Sequence, residues 1–249
     1  WVPEHELESG ISNIIDYERS RLGLNAAPRV GRRRIVVTSA SRKAPLLRAM
    51  RDALSRIDLG ARVVAGDSDA GAPARFVAHE FWNMPRTDDA AFDAILQGCL
   101  ARDVRAVLPT RDGELRFWAR HREAFAEAGI SVIVSPLDAV DRCLDKLAFA
   151  QFASRVGIPA IPASESLEAL GEGPFVVKER FGAGSQGIGL NLEVRSALIH
   201  AAQLQAPIFQ PYVGGPEISI DGWRDSRGRV VGVVLRSRDL VVNGESQVT

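Results

Sequence analysis

Between Arg34 and Val134, short apolar runs alternate with stretches whose apolar residues recur at helical spacing. Arg34–Ala40 (RIVVTSA) reads as a buried strand, and Pro45–Arg56 as an amphipathic helix opened by its proline. Ala61–Ala65 reads as a second strand, ending in Gly66-Asp67-Ser68-Asp69, and Glu80–Met84 as a short third. Asp88–Arg102 predicts a helix capped by Thr87 or Asp88. Arg105–Leu108 predicts a strand that opens into Pro109-Thr110-Arg111-Asp112-Gly113-Glu114, followed by helix Leu115–Ala128 and strand Ser131–Val134. Such alternation predicts a parallel sheet with helices on both faces.

After Pro136 the rhythm changes. Asp138–Val156 predicts helix with a break near Leu144-Asp145, and Val194–Gln205 a second helix. Strands are expected at Phe175–Lys178, Ile188–Leu192, Pro207–Val213, Glu217–Arg224, Arg229–Ser237 and Leu240–Val242, with Ser226-Arg227-Gly228 as a hairpin turn. This second half therefore reads as antiparallel α+β. Ahead of the sheet, Ser12–Leu22 predicts a helix and Asn25–Arg34 a linker. The expected division is an extension over 1–31, an α/β domain over 32–136 and an α+β domain over 137–249.

Composition narrows the class. Thirty-one basic and 31 acidic residues cancel, so no global field favours nucleic acid or an anionic membrane. No apolar run reaches the roughly 18 residues that a bilayer-spanning helix needs. Cys99 and Cys143 are isolated, and the four histidines are scattered, which predicts a reducing, cytoplasmic setting and no zinc site. Lysine occurs only at positions 43, 146 and 178 in an arginine-rich chain. Trp1 is not a translation start, and the chain is expected to be a piece of a longer protein.

The chemistry concentrates in GPFVVKERFGAGSQGIG, residues 173–189. A buried strand delivers Lys178 to its end, and Gly182, Ala183, Gly184, Ser185, Gln186 and Gly187 follow. Glycines let backbone N–H groups approach phosphate oxygens, and the lysine adds a compact positive charge. The lysine precedes the glycines, so this is not a P-loop, and a charged Lys-Glu-Arg turn opens it, so it is not a dinucleotide fingerprint. Taken alone, the segment reads equally as a flexible hairpin.

With Asp145-Lys146 at a helix start, Phe152 and Gly157-Ile158-Pro159 after it, Lys178 and its loop, and Phe209–Glu217 in this order, the chain resembles the ATP-grasp superfamily. It is nearest the carbamoyl-phosphate-synthetase-like and carboxylate–amine ligase members. The resemblance implies a Rossmann-like α/β pre-ATP-grasp domain followed by an incomplete α+β ATP-grasp domain. It assigns Lys146, Lys178 and the loop Gly182–Gly187 to the phosphates, Gln210, Pro211, Tyr212 and Val213 to adenine, and Glu217 to ribose. Read without the family, Lys146 is a surface lysine and Glu217 an exposed strand residue. Asn243-Gly244-Glu245-Ser246 weakly resembles a turn near ribose and metal.

The implied reaction is ATP-dependent ligation of a small carboxylate and an amine, with Mg2+ as cofactor. The metal motif is absent, its ligands are expected beyond residue 249, and the chain alone is expected to be inactive. A homo-oligomer stays open. Arg42 and Arg111, at strand ends of the first domain, are candidates for the substrate carboxylate or for structural ion pairs. Arg236 and Arg238 are expected two apart on one strand face, able to bind an anion or to line a solvated edge. A non-catalytic ATP-binding module is the alternative. A dinucleotide-binding oxidoreductase, suggested by Asp67, is opposed by the absence of glycine from Thr38 to Pro45.

Overall fold

A computed structural model describes residues 33–225, 227–242 and 245–248, with side chains placed from 33 to 225 and from 227 to 239. The expectations for residues 1–32 and for the Asn243–Ser246 turn lie outside the described residues or their side chains. The chain divides into two units, residues 1–136 with 220–235, and residues 137–219 with 236–249.

In the first unit, five parallel strands run in the order β3-β2-β1-β4-β5. They are β1 (Arg34–Thr38), β2 (Arg62–Asp67), β3 (Glu80–Asn83), β4 (Val104–Leu108) and β5 (Ser131–Val132). Helix α1 (Ala44–Ile57) packs Leu47, Met50 and Leu54 on one face against Val37, Val63 and Ala65. The other face carries Val36, Val64 and Val107. Against it pack α2 (Phe92–Ala101), through Ile95 and Cys99, and α3 (Asp112–Glu127), through Phe117, Trp118 and Phe125. Alternate residues of each strand thus feed two cores, the doubly covered arrangement that continuous apolar strands require. Chain order reverses between β1 and β4, which pair directly. Crevices at such switch points hold ligands in open α/β sheets.

Three expectations in this unit are corrected. β1 stops at Thr38 rather than Ala40, because Ser39 turns left-handed with φ 48°. The Asp88–Arg102 segment opens as a 3-10 turn over Asp89–Ala91 before α2, with the Asp88 carboxylate accepting from the Ala91 N–H at 2.9 Å. β5 ends at Val132 rather than Val134.

The second unit opens with α4 (Leu137–Leu144) and α5 (Lys146–Val156), broken at Asp145 as expected and closed by Gly157 at φ 73°. A three-stranded antiparallel sheet follows in the order β7-β6-β8, with β6 (Phe175–Glu179), β7 (Gly189–Leu192) and β8 (Pro207–Pro211). Helix α6 (Val194–Ala201) covers one face through Ala197 and Ala201 against Phe175, Val177 and Phe209. It ends four residues before Gln205, where it was expected to end. The N–H groups of Gln205 and Ala206 instead donate to the Glu179 carboxylate at 2.8 and 2.9 Å, turning the chain into β8. β9 (Ile218–Arg224) and β10 (Val230–Ser237), whose residues 220–235 count with the first unit, pair with one another. In the second unit, β11 (Leu240–Val242) pairs with β12 (Glu245–Val248), the last not foreseen. No helix among the described residues is long and apolar enough to cross a membrane.

Gly98 tests the packing of the first unit. A Cβ there would lie 2.3 Å from the buried Trp82 ring. Alanine normally favours a helix over glycine by about 1 kcal/mol. At Gly98 the sign should reverse, with Gly98→Ala losing about 1–3 kcal/mol of stability in urea unfolding.

Candidate functional site

The register of β6 and β8 sorts their side chains. Phe175, Val177 and Phe209 face the α6 core. Val176 lies opposite Gln210, and Lys178 opposite Ile208, so Lys178 and Gln210 share the other face on a diagonal. The family resemblance assigns both residues to one ligand, and strand pairing sets them on one face of the sheet. Lys178 is half-buried, and its pKa is lowered, first by that burial and then by the neighbouring charge of Lys146. Two ammonium groups are therefore held close enough to oppose each other.

Lys146 reaches this place from the first residue of α5. The Asp145 carboxylate caps that helix, accepting from the N–H groups of Leu147 and Ala148, each at 3.0 Å. The same carboxylate takes both forks of Arg180, Nε at 2.8 Å and Nη2 at 2.6 Å. Arg180 holds the Asp145 carboxyl below the ordinary carboxylate range, and its own pKa is raised in return. The Arg180 carbonyl accepts from the Lys146 N–H at 3.2 Å. The Lys146 ammonium donates to the Gly182 carbonyl at 2.8 Å. From there the loop runs exposed to Gly187, with positive φ at Gly182, Gly184, Ser185 and Gly187. That backbone is open to a glycine-rich chain and strained for most others.

The connector beyond β8 is only partly arranged as expected. The Gln210 amide nitrogen donates to the Ile161 carbonyl at 3.2 Å, which leaves the amide oxygen as the acceptor. The Tyr212 N–H donates to the Pro174 carbonyl at 2.9 Å, and Tyr212 and Val213 are exposed. The Glu217 carboxylate pairs with Arg238. Arg236 and Arg238 do not share a strand, because β10 ends at Ser237 and Arg238 stands in the turn after it. That expectation is corrected.

In the first unit, two acidic residues at the switch point are internal fasteners. Asp67 accepts from the Ser41 N–H and the Asp69 N–H, each at 2.9 Å. Glu114 is fully buried. Its Oε1 accepts from the Thr38 hydroxyl at 2.8 Å and from the N–H groups of Thr110 and Arg111 at 3.0 and 3.2 Å, while Oε2 takes the Trp118 indole at 3.2 Å. The turn amides that a phosphate would need are thus already occupied. Arg42 and Arg111 are exposed, and neither guanidinium forms an ion pair among the described residues.

Residues 35–133 match the family described as PylC-like, N-terminal domain. No curated protein matches the chain in sequence. Among solved structures, N5-carboxyaminoimidazole synthetase from Staphylococcus aureus, complexed with ADP, superposes with a TM-score of 0.64 at 18% identity, over 86% of this chain and 56% of that one. Biotin carboxylase from Campylobacter jejuni, in a β,γ-ATP complex, gives 0.60 at 19% identity, over 87% and 53%. The biotin carboxylase domain of Hydrogenobacter thermophilus 2-oxoglutarate carboxylase, with MgADP and bicarbonate, gives 0.60 at 18%, over 86% and 51%. The fold is the ATP-grasp fold.

The chain spans about half the length of each of these ATP-grasp structures. Sequence reasoning passed over the link of Arg180 to Asp145 and read Asp145 as a cap alone. The Lys-Glu-Arg run after an apolar strand was the available signal, since alternation sets Lys178 and Arg180 on one side of the strand. Glu114 reads in the sequence only as part of the stretch after a strand, and the three-dimensional contacts reveal its structural role.

Two outcomes follow from the electrostatics. Asp145 is depressed in the fold, so its contribution to stability is complete above about pH 4 and vanishes as pH falls through the lower folded value. Wild type and Asp145→Asn should differ in thermal stability at pH 7 and converge in strong acid. Lys178→Met removes a half-buried charge opposed by Lys146. In the absence of ligand it should raise the melting temperature by a few degrees, about 1 kcal/mol.

Proposed function

We propose that the second unit grips ATP for a ligase that activates a carboxylate as an acyl phosphate. The observation that carries the reading is the pair of opposed ammonium groups, Lys146 and Lys178, beside a glycine loop with four left-handed residues. Such a pair is unfavourable alone and favourable around a polyphosphate. Lys146, Lys178 and the loop from Gly182 through Ala183, Gly184, Ser185 and Gln186 to Gly187 hold the phosphates. The Gln210 amide oxygen accepts from the adenine 6-amino group. Main-chain groups at Pro211, Tyr212 and Val213 meet the ring edge. Glu217 binds ribose hydroxyls once it shares or releases Arg238. The ADP and ATP complexes of the ATP-grasp structures named above support the choice of nucleotide.

In the reaction, a carboxylate oxygen attacks the γ-phosphorus, the bond from that phosphorus to the β-bridging oxygen breaks, and ADP leaves. The amine then attacks the acyl carbon and expels phosphate. The chain contributes positioning and charge rather than covalent chemistry. Mg2+ would neutralise developing charge on the transferred group. Among the described residues no cluster of three or more acidic, histidine or cysteine side chains offers a metal site. Arg42 and Arg111 recognise the substrate carboxylate, since Asp67 and Glu114 have already taken the turn amides around them. The same two fasteners oppose a dinucleotide in that crevice.

Titration calorimetry with ATP, followed by ADP-release assays over a panel of carboxylates and amines, tests the reading. Lys178→Ala should weaken ATP binding by roughly 1.5–3 kcal/mol. Arg42→Ala and Arg111→Ala should leave ATP affinity within about twofold while weakening any carboxylate-dependent ADP release roughly tenfold or more. ATP binding without turnover on any panel favours a non-catalytic module. Unchanged ATP affinity in Lys178→Ala contradicts the site.

A further inference from the structure

Asp145 and Lys146 are consecutive residues, and both grip Arg180. The side-chain grip is bidentate, with N–O distances of 2.8 and 2.6 Å. The main-chain grip is the Lys146 N–H on the Arg180 carbonyl at 3.2 Å. A third link ties the Lys146 ammonium to the Gly182 carbonyl at 2.8 Å. The start of α5 and the root of the glycine loop therefore form a closed ring of contacts, two residues along from Lys178. Asp145 is mostly shielded, its side chain 13% exposed, so this ion pair sits in a geometry where bidentate contact is specific. Arg180 also touches Glu165 at 3.1 Å, but that carboxylate is 66% exposed, and such a contact is worth little.

We propose that the Asp145–Arg180 pair is a positioning brace, which sets the spacing of the two phosphate lysines and the starting point of the loop that covers the nucleotide. The inference rests on the ATP reading given above and assigns two further residues to that site. The brace holds Lys146 against the mutual repulsion of the ammonium groups, so that both are in place before a polyphosphate arrives. Neither Asp145 nor Arg180 needs to touch the nucleotide for this. Asp145 carries the wrong charge to do so.

That charge supplies the test. Asp145→Asn removes a negative charge near the phosphates while keeping an amide oxygen able to cap α5. If local charge alone governed binding, the variant would bind ATP more tightly than wild type. The brace predicts the opposite, roughly tenfold weaker ATP binding, with AMP affinity changed less than twofold. Arg180→Lys should behave the same way, because a lysine keeps the charge and loses the fork. Glu165→Ala should stay within twofold for both nucleotides. Calorimetry on the full chain with ATP and AMP reads all four proteins, and far-ultraviolet circular dichroism confirms that each is folded. ATP affinity in Asp145→Asn equal to or above wild type, or full rescue by Arg180→Lys, overturns the brace and leaves the ATP site standing. Failure of the wild type to bind ATP overturns both.

Discussion

Two positive charges held near one another, Lys146 and Lys178, are the constraint on which the second unit depends. Lys178 stands at the end of a strand whose other face is buried under α6, and its protonated form is disfavoured by burial and then by Lys146. The fold bears that opposition with ordinary means. Antiparallel pairing with β8 fixes Lys178, and a capped helix start fixes Lys146. For the proposed ATP site, this arrangement would have the electrostatics prepared before the ligand arrives, which is where fixed charges act most strongly.

The first unit shows the complementary arrangement. Its sheet has the switch point at which α/β proteins bind ligands, yet the turn amides there are satisfied by the chain's own carboxylates, Asp67 and Glu114. Glu114 joins β1, the loop after β4 and the core residue Trp118 through a single buried carboxylate. Arg42 and Arg111 stand exposed at these turns, and a guanidinium suits a carboxylate more than a bridging pyrophosphate. The two units thus present different groups, a glycine-rich loop and ammonium groups in one and exposed guanidinium groups in the other.

Much of the fold could be read from periodicity, because strands with both faces covered appear as unbroken apolar runs and helices keep their apolar spacing. The break at Asp145 was legible for the same reason, since aspartate followed by a helical pattern is a cap. The boundaries that failed were decided by a contact remote in sequence in one case and by a local backbone turn in another. Glu179 drew the chain after α6 away from helix, a hydrogen bond across 26 residues that no local pattern encodes. Ser39 shortened β1 by adopting a left-handed turn unusual for serine. Within the candidate site, Lys146, Lys178 and Gln210 stand in the order that the family resemblance expects. The link from Asp145 to Arg180 spans 35 residues and was not, and the commitment of Arg238 to Glu217 likewise depends on where the chain turns after β10.

The central claim is that nucleotide binds on the Lys178 face of the second unit. Hydrogen–deuterium exchange with and without a non-hydrolysable ATP analogue measures this residue by residue. Nucleotide on that face should slow exchange in the first turn of α5, in residues 180–188 and in residues 210–217, with the turns at 39–43 and 109–112 unchanged. Protection confined to those two turns of the first unit would contradict it.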